Sequence, residues 1–296
     1  MLSFIFGTDE GQKLNEIYKL AAADAKTGQS VFILVPEQYS MYAEAQLISE
    51  MGLSAQSKIQ ILTFSRLCNL VFSKMGPLRT KYMDKAGKFI MTRKALNICS
   101  DNLEFFKRSI HRHGFAGLIQ RTVSEFKRYG VSPQTLAEFS EQTQDERFSA
   151  KLRDLSLIYQ QFNTLVDQNH SNAEDNLSLI IPKLSKADFL NGSFYITFFK
   201  SFTPTEYAVI CELMLKSDVC VALSAENLTK KSPVFEAQKK TYRKLVEWAE
   251  KHSILTTAPV FLDDAWNSEA APDLFHLKEN FFQPSPTVYD RALLPT

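Results

Sequence analysis

The chain opens on an apolar run, Leu2-Ser3-Phe4-Ile5-Phe6, which gives way at Gly7 to a short polar turn. From Gln12 to Ala25 the apolar residues fall at Leu14, Ile17, Tyr18 and Ala21, and Lys26-Thr27-Gly28-Gln29 closes the stretch. The run predicts a strand, and the three-and-four spacing predicts a helix. Val31-Phe32-Ile33-Leu34-Val35 is continuously apolar, as a strand covered on both faces requires, and Pro36 ends it because proline has no N–H for the ladder. Strand, helix and strand in such close succession make a βαβ unit.

The pattern then repeats. A helix is predicted from about Tyr42 to Met51, a strand over Ile59–Phe64, and a second helix through Leu67, Leu70, Val71 and Phe72, with Ser65 placed to cap it. From Lys81 to about Pro182 the periodicity is helical and no convincing strand interrupts it. Ile90, Ala95, Leu96 and Ile98 mark one helix, Phe115, Leu118, Ile119, Val123 and Phe126 another, and Leu152, Leu155, Ile158, Tyr159 and Phe162 a third. Ser132 is placed to cap a helix that has Pro133 in its first position.

Strands resume at Ser193–Phe199 and Asp218–Leu223, separated by a loop at 201–206 and a helix to Leu215. Thr203 to Glu206 has the form of a capping box. Pro233 to Lys251 reads as helix, and the tail from Pro259, with Pro272, Pro284, Pro286 and Pro295, as irregular chain. The expected fold class is therefore α/β: an open, mostly parallel sheet from residues 1–80 and 188–296, with a helical subdomain, 81–187, inserted in it.

At 296 residues the chain is long enough for one large core with an insertion, or two domains. Its net charge of +1 leaves the partner open, so only local clustering of charge is informative. Cys68, Cys99, Cys211 and Cys220 lack the close pairing of zinc or iron–sulfur sites and are expected to be buried, reduced thiols. The start of the chain has no secretory pattern and no stretch approaches a membrane span, so a cytoplasmic protein is expected, away from membranes.

Strand, glycine turn and helix are the layout of a phosphate-binding loop, in which backbone N–H groups wrap the phosphates, a lysine reaches the outer ones and a hydroxyl holds Mg²⁺. Gly7, Gly11 and Lys13 are the candidate phosphate-binding residues, with Gln38, beyond the second strand, at the same nucleotide site. Set on the pattern G-x-x-G-x-G-K-T, however, Glu10 and Gln12 replace glycines and Leu14 replaces the hydroxyl. Glu10 brings negative charge toward phosphates, Gln12 adds a side chain where the backbone must approach, and Leu14 cannot bind metal. Lys13 is then either a solvated lysine of the first helical turn or a residual anion contact at a helix N-terminus.

A cationic cluster, Lys107, Arg108, His111, Arg112 and His113, is followed by Arg121, Lys127 and Arg128. Phosphate contacts need such charge, and Phe105, Phe106, Phe115 and Tyr129 are near enough in sequence to offer stacking faces, although phenylalanine at helical spacing is more often core. Lys107, Arg108, Arg112, Lys127 and Arg128 are DNA-binding candidates, as is Arg66, which follows a strand end where open α/β sheets place ligand loops. The histidines form no catalytic constellation, and no catalytic residue or metal ligand is assigned.

Five motifs occur in register: the partial phosphate loop, Leu34-Val35-Pro36-Glu37-Gln38-Tyr39-Ser40, Thr63-Phe64-Ser65-Arg66-Leu67, Val123-Ser124-Glu125-Phe126-Lys127-Arg128-Tyr129, and Phe202-Thr203-Pro204-Thr205-Glu206. In this order and spacing the chain resembles the N-terminal part of the AddB (RexB) family, one of the two subunits of the ATP-dependent helicase/deoxyribonuclease that processes double-strand breaks for homologous recombination. The resemblance implies a RecA-like sheet of the superfamily-one helicase type with a helical insertion. It implies single- and double-stranded DNA and an ATP-hydrolysing AddA-type helicase–nuclease subunit as partners. ATP and Mg²⁺ are cofactors of the family, and its iron–sulfur cluster and nuclease belong to a region this chain does not match. The family strand before the Phe-Thr-Pro segment commonly ends in an acidic residue that completes the magnesium site; Thr197 or Phe198 falls there. The expected role is a DNA-guiding scaffold with a degenerate nucleotide site. A living P-loop ATPase and a pure protein-interaction module are the alternatives.

Overall fold

The computed structural model describes residues 1–52, 58–76, 81–167, 170–171, 173–225, 228, 233–262, 272–280 and 287–288. The chain divides into two compact units, one of residues 1–67, 184–202 and 210–296, the other of residues 68–183 and 203–209.

The first unit is built on a six-stranded, wholly parallel sheet: β1 (Leu2–Phe6), β2 (Ser30–Leu34), β3 (Ile59–Leu62), β6 (Gly192–Ile196), β7 (Asp218–Leu223) and β8 (Val260–Phe261), in the spatial order β3-β2-β6-β7-β1-β8. It is the expected RecA-like arrangement, with β7 between β1 and β6. Parallel strands bury both faces, and the apolar runs supply both. Ile5, Val31, Ile33, Ile61, Tyr195 and Cys220 meet Leu14, Ile17, Tyr18 and Ala21 of α1 (Glu10–Lys26) and Ala43 and Leu47 of α2 (Ser40–Met51). On the opposite face Phe4 and Phe6 set their rings 4.7 and 5.5 Å from Tyr242 of α10 (Glu236–Lys251), and Phe32 stacks on Phe194 at 4.7 Å. Gly192 opens β6 because a Cβ there would stand 2.0 Å from the Ser30 carbonyl oxygen.

The second unit is helical: most of α3 (Phe64–Met75), then α4 (Lys85–Cys99), α5 (Phe115–Arg128), α6 (Pro133–Gln142), α7 (Glu146–Asp167) and most of α8 (Ala173–Leu184). Its core joins Ala95, Leu96 and Cys99 to Ile119, Val123, Leu136, Leu155, Ile158, Tyr159 and Phe162. Ile90, Ile98 and Leu118, expected inside, are half or more exposed, because their helices bury one stripe and these residues lie off it. A two-stranded parallel ladder, β4 (Lys81–Tyr82) with β5 (His170–Ser171), lies in a stretch expected to be free of strands; two residues each are too short for a periodic signal.

The caps are partly as expected. Ser132 Oγ accepts from Thr135 N, and Thr203 with Glu206 forms the reciprocal box at the start of α9 (Pro204–Met214), Glu206 Oε2 accepting from Thr203 N at 2.7 Å. Thr63, not Ser65, caps α3: its Oγ1 accepts from Arg66 N at 3.2 Å. The tail is more ordered than expected, since Val260–Phe261 pairs with Ile5–Phe6 and Pro272 begins α11 (Pro272–Asn280). Pro284, Pro286 and Pro295 lie outside the described residues.

Candidate functional site

In a parallel sheet every strand delivers its C-terminal loop to the same edge, so β1, β7, β6, β2 and β3 bring Gly7, Ser224, Thr197, Gln38 and Thr63 to one side. Asp9 caps α1 there, its carboxylate accepting from Gln12 N at 2.9 Å, and this sets the first turn so that Glu10 and Lys13 share a helix face.

Lys13 is not solvated: it is 1% exposed, its stem lying over Gly7, whose absent Cβ would stand 3.4 Å from Lys13 Cγ. Its ammonium donates to Glu10 Oε1 at 2.8 Å and to Ser224 Oγ at 2.6 Å, and Ser224 Oγ donates in turn to Glu10 Oε1 at 2.9 Å. The circuit is closed, and each donor on it ends on the Glu10 carboxylate. Burial lowers the Lys13 pKa from its ordinary value of 10.5, against the opposing pull of Glu10 and Asp9. The Glu10 carboxylate thus engages the ammonium that a phosphate-loop lysine would offer to a phosphate oxygen.

Magnesium chemistry does not fit the residues at this edge. Leu14, in the place of the metal-binding hydroxyl, is 1% exposed and packs in the core. Thr197 follows β6 where a carboxylate is needed; it is fully buried, and its Oγ1 has no hydrogen-bond partner among the described residues. Phe198 beside it has φ of 67°, a conformation unusual for a bulky side chain, and stacks on Tyr39 at 4.6 Å and 10°. Among the described residues no three His, Cys, Asp or Glu side chains are placed to hold a metal ion.

Gln38 is exposed in the turn after β2. It is three strand positions from β1, roughly 14 Å at the usual spacing, and so belongs with Arg66 beyond the neighbouring β3. Arg66 pairs with Glu44 and donates weakly to Ile61 O at 3.4 Å. Tyr39, Tyr42 and Phe198 make an aromatic group on this side, the first two with exposed edges.

In the helical unit Lys107, Arg108 and Arg112 lie in a series of turns between α4 and α5, anchored by Asp154, whose buried carboxylate accepts from Glu104 N at 3.0 Å and Phe106 N at 2.8 Å. Phe115 is core and Phe106 is partly buried against it, whereas Tyr129 is 58% exposed. Lys127 rides over the Phe162 ring at 5.8 Å. Arg128 instead joins Lys85, Lys88 and Arg121 around a cleft between α4 and α5, a grouping hidden in the sequence because its members are spread over two helices. Helical phase is the signal that could have found its halves, Lys85 with Lys88 and Arg121 with Arg128.

The family model described as "ADDB, N-terminal" matches residues 4–278 of this chain. An ATP-dependent helicase/deoxyribonuclease subunit of Clostridium botulinum (strain Loch Maree / Type A3) is 32% identical over 294 residues, covering 95% of this chain and 26% of the relative. The protein of the same description from Clostridioides difficile (strain 630) is 32% identical over 301 residues, with 96% and 26% covered. That from Clostridium tetani (strain Massachusetts / E88) is 28% identical over 295 residues, with 95% and 26% covered. The chain spans about a quarter of the length of the curated relatives it matches.

Proposed function

Because the chain belongs to the family of AddB N-terminal regions, we propose that it is the helicase-like N-terminal module of a subunit in a heterodimeric ATP-dependent helicase/exonuclease for double-strand break repair, guiding DNA and scaffolding an ATP-hydrolysing AddA-type partner. Its own nucleotide site is degenerate. The observation that carries this is the closed circuit of Lys13, Ser224 and Glu10: the lysine suited to a terminal phosphate is buried and neutralised by a carboxylate of its own loop. Leu14 and Thr197 in place of metal ligands support the same reading. Arg66, with the exposed edges of Tyr39 and Tyr42, supports a strand-guiding edge instead.

Calorimetry with Mg·ATP tests it. The expected result is no binding in the micromolar range and no turnover; turnover abolished by Lys13→Ala would establish a living ATPase in its place. A stable complex with the AddA-type partner, in the absence of salt-sensitive DNA binding, would leave an interaction module.

A further inference from the structure

The cleft between α4 and α5 has a volume of about 680 Å³ and lies wholly within the helical unit. Four cations line it, Lys85, Lys88, Arg121 and Arg128, against a single carboxylate, Glu125. Among the described residues Lys85, Arg121 and Arg128 enter no ion pair. The nearest acid in sequence, Asp84, is engaged at the α4 cap, its Oδ1 accepting from Gly87 N at 2.7 Å. Lys88 is 8% exposed, so part of this charge is held inside the wall rather than displayed in solvent. Positive charge concentrated in this way in a low-dielectric wall attracts an anion more strongly than the same charge spread on a surface.

A second observation concerns Gly117, inside α5 and part of the cleft lining. A Cβ there would meet nothing within 4 Å, so packing does not require glycine, although glycine weakens a helix interior. What its bare backbone provides is room along the cleft. Phe89, 38% exposed, stands at the same cleft.

We propose that this cleft holds the phosphate backbone of single-stranded nucleic acid, with Lys85, Arg121 and Arg128 on the phosphates and Phe89 against a base. Arg121 and Arg128 lie seven residues apart on one helix face, roughly 10 Å along the axis. That span suits two separate phosphates of an extended strand better than one compact phosphate group. The inference rests on the DNA-guiding role proposed above and gives it a surface distinct from the sheet edge.

The test is anisotropy of a labelled oligothymidylate against the whole chain across a salt series. Lys85→Glu with Arg121→Glu is expected to lower affinity about tenfold or more and to flatten the salt slope by about 0.7 for each phosphate no longer neutralised. Phe89→Ala is expected to lower affinity about fivefold. Gly117→Ala is expected to raise the thermal unfolding midpoint while weakening binding, a pairing that a merely structural role would not produce. Wild-type binding that the cleft variants leave unchanged overturns the cleft and spares the DNA-guiding role; no salt-sensitive binding by wild type overturns both. Inorganic tripolyphosphate bound as tightly as the oligonucleotide, and released in the same variants, overturns the strand assignment in favour of a small polyphosphate.

Discussion

Lys13 Nζ and Glu10 Oε1 are 2.8 Å apart, yet the lysine is 1% exposed and the glutamate 47%. The pair is therefore asymmetric: the lysine needs the glutamate more than the glutamate needs the lysine. Removing the acid strands a buried cation on a single hydroxyl, whereas removing the cation leaves a carboxylate that water reaches. Glu10→Ala is expected to destabilise the chain by about 1–2 kcal/mol, and Lys13→Met to change it by less than about 1 kcal/mol. Urea midpoints of the two variants check this; equal losses would mean that the pair is held by the surface alone.

The four cysteines give a pH signature. Burial pushes the thiols of Cys68 and Cys211 up to about 12, that of Cys220 to about 11, and raises Cys99 as well. Near neutral pH the folded chain should therefore resist maleimide, with labelling tied to unfolding. Above the ordinary thiol value of 9.0 the unfolded chain sheds these protons while the folded chain keeps them, so stability should fall as pH climbs from there through 11 to 12. Rapid native labelling of any of the four thiols would refute their burial.

At the start of α3 the hydroxyl of Thr63 satisfies Arg66 N, and the residue is fully buried. Thr63→Val keeps the shape and removes the acceptor, at a cost of about 1 kcal/mol; Ser65→Ala should be nearly neutral. A larger loss at Ser65 would return the cap to the residue expected from sequence.

Asp154 holds two backbone N–H groups of the basic turn from within the helical unit. Asp154→Ala should cost about 2–4 kcal/mol, and hydrogen exchange at Glu104 and Phe106 should accelerate beyond the global change. Exchange at those amides no faster than elsewhere would show that the anchor is dispensable.

Much of the sheet is legible in the sequence because its signals are local. Continuous apolar runs identify β1, β2 and β7, and Thr203 with Glu206 announces a capping box four residues long. The site is legible only in part. That Glu10 sets negative charge in a phosphate loop is visible in the sequence; that it meets Lys13 and Ser224 is not, since Ser224 lies 211 residues from Lys13 and nothing local marks it. Ser65 reads as the cap of α3 in place of Thr63 because the helix starts two residues earlier than its apolar pattern suggests. The division between units likewise falls inside α3, after Leu67, where a continuous helix offers no break in composition.

The place of β1 has a consequence for how the protein is made. This strand leaves the ribosome well ahead of both its neighbours, β7 and β8, which lie at residues 218–223 and 260–261. At roughly 5–20 residues per second it waits some tens of seconds for them. Meanwhile β2 meets β3 within a few dozen residues and the helical unit can close on itself. β1 is thus synthesised before the rest of the sheet and is among the last strands to be paired, and until then the nascent chain carries an unprotected phenylalanine-rich segment of the kind that chaperones hold.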